Sequence, residues 1–222
     1  MASPVILSWS GGKDSALTLH ALQQRSDVEV VGLLTAVTRD YDRVSVHGVR
    51  RALLAEQARA VGLPLHEIRL DANCTNEAYE RAFLEALVKC ARDFPAVSSV
   101  AFGDLFLDDV RAYRERLLEG SGFYPLFPIW GEDTTLLARR FISQGFVARL
   151  VCVDTVQLDP SFAGRIFDED LLAEFPPETD CCGERGEFHT FVSDGPIFSR
   201  PIPYQVGHSV MRDGRFMFCD LE

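Results

Sequence analysis

The chain has 222 residues, enough for one large domain or a domain with an appended half, and ample for a buried core. A hydrophobic fraction of 47% and a charged fraction of 25% are those of an ordinary globular protein, which excludes disordered, collagenous and coiled-coil readings. The net charge of −11, with Lys13 and Lys89 the only lysines, argues against a broad cationic surface for nucleic acid and leaves a local arginine cleft open.

The N-terminal run Met1-Ala-Ser-Pro-Val-Ile-Leu-Ser-Trp-Ser10 has no basic segment ahead of a long apolar stretch, and no window approaches 18 apolar residues. The expectation is a cytoplasmic protein with no membrane partner. Cys74, Cys90, Cys152, Cys181, Cys182 and Cys219 form no CxxC pair and are expected to be thiols; adjacent Cys181 and Cys182 make poor shared metal ligands.

In chain order, Val5–Trp9 is a short apolar strand, Ser10-Gly-Gly-Lys-Asp-Ser15 a glycine loop, and Ala16–Gln24 a helix. Val28–Val37 is a β-branched strand, and Val49–Val61 a helix closed by Gly62 and Pro64. Leu65–Leu70 resumes a strand, Asn76–Phe94 has apolar residues spaced three and four apart, and Val97–Phe102 follows as a strand. Such alternation implies parallel strands joined by right-handed crossovers, hence an open α/β sheet. A helix from about Asp108 to Leu118 stops before Gly120 and Gly122, and the proline-marked Tyr124–Trp130 reads as a crossing into a second region. Asp133 could cap a helix over Thr134–Gln144 before a strand over Phe146–Asp154. Phe188–Val192, the turn at Asp194-Gly-Pro196 and a hairpin around Arg212-Asp-Gly-Arg215 end the chain.

The glycine loop sits where an open α/β sheet places ligands, after the first strand and at a helix N-terminus. Gly11 and Gly12 let backbone N–H groups approach an anion, the helix adds its positive end, Lys13 adds a charge, and Ser10 and Ser15 add hydroxyls. A polyphosphate is the expected ligand. Neither a Walker loop nor GxGxxG fits, because the glycine spacing differs and Asp14 follows the lysine.

The loop resembles that of the PP-loop ATP pyrophosphatases. Phe102-Gly-Asp-Leu105, Arg111, Glu115, Pro128-Ile-Trp130 and Cys182-Gly-Glu-Arg-Gly-Glu-Phe-His-Thr190 narrow the resemblance to the diphthine–ammonia ligase family, also described as adenine nucleotide alpha hydrolase-like. It covers residues 5 to about 200. Leu107 and Tyr113 depart from the archaeal and eukaryotic pattern, whereas His47-Gly48-Val49, Tyr113-Arg114-Glu115 and Asp194-Gly-Pro-Ile-Phe198 look more like a bacterial branch. The resemblance implies a PP-loop (HUP-like), mostly parallel sheet with helices on both faces, a nucleotide domain over 1–125 and a smaller α+β acceptor-binding region over 126–222. It implies cleavage of ATP between the α and β phosphates, with Mg²⁺, and amidation by ammonia of an acyl-adenylate on a small-molecule or protein-borne carboxylate.

On that basis Ser10, Gly11, Gly12, Lys13, Asp14 and Ser15 are expected to hold ATP, and Lys13, Asp104, Glu187 and His189 to be catalytic. Asp104, at a strand end, could bind Mg²⁺ or order a phosphate-bound water; Asp14 could help hold the metal or cap the helix. Glu184, Glu187 and His189 fall within six residues between glycines, so two carboxylates and an imidazole could bind ammonium and take its proton, with either Glu187 or His189 as base. In strand alternation Glu187 and His189 would share a side. Arg111 and Arg114, three apart on one helix, could meet phosphates or an acidic acceptor, or pair with Glu115 or Asp108. His47 and Trp130 are candidate substrate contacts with structural alternatives, and a homodimer is compatible with the chain. Two other classes remain: an ATP or AMP sensor or hydrolase without ligation, and a tRNA-modifying enzyme, which the acidity and the lack of cysteine pairs disfavour.

Overall fold

The computed structural model describes residues 2–45 and 47–222; Met1, where the expected nucleotide domain begins, and Val46 lie outside the described residues. The first part of the chain runs β1 (Ser3–Ser8), α1 (Lys13–Gln23), β2 (Val28–Thr38), β3 (Arg43–Val44), α2 (Arg51–Val61), β4 (Leu65–Leu70), α3 (Asn76–Asp93), β5 (Ser99–Ala101), α4 (Asp108–Leu118) and β6 (Tyr124–Leu126). It continues through α5 (Thr134–Ser143), β7 (Val147–Asp154), a 3₁₀ turn at Pro160–Phe162, α6 (Glu169–Glu174), β8 (Phe188–Asp194), β9 (Val206–Arg212) and β10 (Phe216–Leu221).

Several boundaries follow from local chemistry. Thr75 and Asp133 each accept a backbone N–H in the first turn of the helix they precede, from Ala78 and Leu136. Gly62, at φ +80°, ends α2 in the left-handed conformation that glycine adopts without strain.

β1 pairs in parallel with β2 and β5, β5 with β6, and β2 with β4. Leu33 pairs with both Leu7 and Leu65, and Val37 with both Val44 and Arg69. The lateral order is therefore β4, β2, β1, β5, β6, with the short antiparallel β3 continuing along β2 past the end of β1. From β1 the chain moves outward through β2 and returns to β5 on the other side, so the direction of winding switches between β1 and β5. This is the expected open, mostly parallel sheet. Tyr124–Leu126, expected as a crossing segment, forms instead the outermost parallel strand; Pro125 is tolerated at a sheet edge, where its missing N–H breaks no ladder bond.

Alternation along β1 divides the core. Val5 and Leu7 join a cluster with Leu19 of α1 and Leu54 of α2, whereas Ile6 joins Phe83 and Leu87 of α3 and Leu118 of α4. Helices thus cover both faces. The later strands form a second, antiparallel sheet in the order β8, β7, β10, β9. Its buried residues Leu150 and Phe191, with Phe141 of α5, belong to the same cluster as Val5 and Leu7, so the second sheet packs on the α1 and α2 side. Among the described residues no helix is long and apolar enough to cross a membrane.

Candidate active site

Beyond β1 the chain cannot continue as a strand, because Gly11 turns at φ +79° and α1 begins at Lys13 with Gly12 as an N-cap that offers no side chain. The turn is held from several sides. The Lys13 N–H donates to Thr190 Oγ1 at 3.0 Å, the Ser15 hydroxyl donates to the Gly12 carbonyl at 2.8 Å, and the Val192 N–H donates to the Gly11 carbonyl at 2.9 Å. The loop therefore takes its shape partly from β8 of the second sheet.

A cleft of about 480 Å³ opens above this loop at the carboxyl ends of the parallel strands, on the switch between β1 and β5. One wall is apolar, made by Leu34, Ala36, Ile68, Phe83 and Phe102, the side of the sheet packed on α3 and α4. The opposite wall is polar: Thr35, Ser45, His47, His189 and Thr190. Such a cleft suits a ligand with a flat apolar end and a charged end. The loop residues Ser10, Lys13, Asp14 and Ser15 line it, as do Asp104 and Glu184.

Lys13 is 2% exposed, with Nζ 2.9 Å from both Asp14 carboxylate oxygens and donating also to the Cys182 carbonyl. Burial works against its charge, but Asp14 together with Cys182 and Glu184 outweighs it and holds the ammonium protonated. Asp104 pairs with Arg114, Nε to Oδ2 at 3.4 Å; burial nonetheless pushes its carboxyl above the usual range. Glu184 accepts the Leu105 N–H at 2.8 Å, and burial, with Asp14 and Asp104 adding their negative charges, pushes its carboxyl up to about 7. The His47 and His189 rings lie 4.5 Å apart. Burial lowers His47 to about 4; burial, the neighbouring His47 and Lys13 hold His189 well below the usual imidazole value, so both rings are neutral at pH 7. Two buried atoms on the polar wall, His47 Nδ1 and Thr35 Oγ1, have no hydrogen-bond partner among the described residues.

Three expected site residues lie elsewhere. Glu187 is 2% exposed and accepts the backbone N–H groups of Asp180 at 2.9 Å and Arg185 at 3.0 Å, so its carboxylate organises the turn and does not line the cleft. Glu187 and His189 are thus separated, because Glu187 precedes β8 and belongs to that turn. Arg111 donates to Glu115 at 2.9 Å and its guanidinium lies 4.9 Å from the Trp130 ring; neither Arg111 nor Trp130 lines the cleft. One turn along the same helix, Arg114 does line it, stacked 4.9 Å from the Phe102 ring. Three residues advance a helix by about 300°, and that offset decides which arginine reaches the strand ends.

Thr35 and Gln57 were not singled out from the sequence. Gln57 left a usable signal: it interrupts the buried stripe Leu53, Leu54, Ala58, Ala60 of α2, a place where a polar side chain needs partners. A magnesium ion fits the donor set. Asp14 and Asp104 bring hard oxygen ligands to a cleft where buried carboxylates crowd, although among the described residues no three His, Cys, Asp or Glu side chains could hold a metal by themselves. The ion would take its other ligands from phosphate and water.

A family model described as diphthamide synthase N-terminal domain matches residues 3–125, and one described as diphthamide synthase C-terminal domain matches residues 133–212. The chain is 28% identical over 158 residues to a human diphthine–ammonia ligase, a match covering 65% of this chain and 59% of that protein. To the zebrafish (Danio rerio) diphthine–ammonia ligase it is 25% identical over 211 residues, 87% of this chain and 83% of that one. The fission yeast (Schizosaccharomyces pombe) diphthine–ammonia ligase is 25% identical over 211 residues, 34% of its length. The match therefore spans less than two thirds of the human and fission yeast relatives.

Proposed function

Because this chain belongs to the diphthamide synthase family, we propose that it is an ATP-dependent ligase that joins ammonia to a carboxylate in amide linkage. One observation carries the reading: a glycine loop with a buried lysine opens on the switch point of a parallel sheet, facing Asp104, Arg114 and Glu184 across one cleft.

In this reading the nucleobase lies against Leu34, Ala36 and Phe102, and the β and γ phosphates meet the loop N–H groups and Lys13. A carboxylate oxygen of the acceptor attacks the α phosphorus, the bond from that phosphorus to the bridging oxygen breaks, and pyrophosphate departs into the loop. Lys13 and Arg114 offset the charge that develops on the phosphates. A magnesium ion, held by Asp14 or Asp104, supplies further charge neutralisation when bound. Ammonia then adds to the acyl carbon, AMP leaves with its bonding electrons, and Glu184, with a carboxyl near 7, takes the proton that the new amide sheds. Neutral His47 and His189 offer hydrogen bonds to the incoming nitrogen without repelling it.

The relatives are named for diphthine, so a diphthine-bearing acceptor is the first to assay, with ammonium chloride and ATP. AMP, pyrophosphate and amide in equal amounts are expected. ADP with orthophosphate would sink the loop assignment.

A further inference from the structure

We propose that Gln57 is a positioning residue that fixes the polarity of the anion loop by holding the Gly11–Gly12 peptide plane. The inference rests on the reading of that loop as the phosphate cradle.

Gln57 is fully buried in the middle of α2. Its Oε1 accepts the Trp9 indole N–H at 3.0 Å, and its Nε2 donates to the carbonyls of Gly11 at 3.0 Å and Val192 at 2.6 Å. The amide orientation is unambiguous, since an indole N–H only donates and a backbone carbonyl only accepts. The Val192 N–H donates to the same Gly11 oxygen, which is thus held twice.

In a trans peptide the C=O and the following N–H point in opposite directions. With the Gly11 carbonyl held toward α2 and β8, the Gly12 N–H is turned the other way and donates at 3.2 Å to Oγ of Ser10, a residue that lines the cleft. Glycine at φ +79° has little intrinsic resistance to a peptide flip. A flipped plane would aim a carbonyl dipole, negative end first, at the phosphates. Helix packing does not require a glutamine here; an aliphatic side chain would continue the buried stripe. What the glutamine adds is a donor pair matched to two carbonyls, one in the loop and one in β8, two residues beyond Thr190.

The test titrates pyrophosphate with Mg²⁺, and separately AMP, into folded wild type and variants, with folding checked by circular dichroism at the same temperature. Gln57→Leu is expected to weaken pyrophosphate about tenfold, the worth of one net hydrogen bond to a site, and to leave AMP within about twofold. Gln57→Glu, assayed at a pH where the carboxyl is ionised and so cannot donate and repels both carbonyls, should lose more. Should neither variant fold, Trp9→Phe, which releases only the Oε1 end, decides with about a threefold loss of pyrophosphate affinity. Unchanged pyrophosphate affinity in a folded variant, or an equal loss for pyrophosphate and AMP, overturns the positioning role. Wild type that binds no pyrophosphate overturns the cradle reading itself, and this role with it.

Discussion

Glu184 and Leu105 are joined at the wall of the cleft: the Leu105 N–H donates to the Glu184 carboxylate at 2.8 Å. The bond ties the turn before β8 to the residue that follows Asp104, so Glu184 cannot retreat from the negative charges of Asp104 and Asp14. Burial first, and then those charges, push its carboxyl to about 7. A carboxyl whose value is raised on folding stabilises the protein below the ordinary carboxylate range, and this contribution is lost as pH rises through about 7. The melting temperature of wild type should therefore fall between pH 5 and pH 8, and Glu184→Gln should flatten that decline. Amide formation should rise through pH 7 in wild type and drop about a hundredfold in the variant. An unchanged pH profile in Glu184→Gln would remove it as the base.

Lys13 and Asp14 form a pair in which the lysine is almost wholly enclosed. Lys13→Met removes a charge that offsets the leaving pyrophosphate and also strands the Asp14 carboxylate. Turnover should fall at least about a hundredfold, and stability by about 3 kcal/mol. Adding Asp14→Asn should restore much of the stability, followed by denaturant unfolding, without restoring turnover. Recovery of both would reduce the pair to a structural element.

Gly11 and Gly186 both have positive φ, at +79° and +84°, but different surroundings. A Cβ on Gly11 would stand 2.6 Å from Gln57 Oε1 and from Leu54 Cδ1, whereas one on Gly186 meets nothing within 4 Å. Gly186→Ala should cost only the backbone strain, about 1 kcal/mol, while Gly11→Ala should cost more and abolish ATP binding as the loop shifts. Equal unfolding midpoints for the two variants would contradict the packing described.

Glu187 is expected to behave as a structural carboxylate. Glu187→Ala removes the acceptor for two buried N–H groups and should destabilise the protein by about 2–4 kcal/mol. Glu187→Gln keeps one acceptor oxygen and should retain ligation within about tenfold. A folded Glu187→Gln with no amide formation and intact ATP cleavage would return it to the chemistry.

Arg114 and Arg111 should part company. Arg114→Ala should lower ATP turnover at least about tenfold, and Arg111→Ala should change it by no more than about threefold, since its guanidinium faces Glu115 and Trp130.

The first strand, the glycine loop and the alternation of strands and helices were legible because they are local: two glycines after an apolar run mark where the strand breaks, and period decides the rest. Side-chain destinations were not. Arg111 and Arg114 have the same chemistry and neighbouring positions, and only the placement of α4 over the strand ends separates them. Glu187 shares a short motif with Glu184 and His189, but two positive-φ glycines, Gly183 and Gly186, fold the motif so that its carboxylates face different ways. His47 reaches the cleft through the connection after β3, which has no periodic pattern. Gln57 takes its place from partners far along the chain: it is 135 residues from Val192, a separation that no local signal carries.

The indole of Trp9 gives the molecule an optical reporter of its own. Trp9 and Trp130 are the two tryptophans of the chain, and they occupy different settings. Trp9, 1% exposed, lines the cleft and is hydrogen-bonded to the side chain that braces the glycine loop. Trp130 stands outside the cleft beneath Arg111. In a Trp130→Phe protein the remaining tryptophan fluorescence comes from Trp9 on the nucleotide cleft alone, so nucleotide arrival and pyrophosphate departure can be followed by stopped flow without any added label.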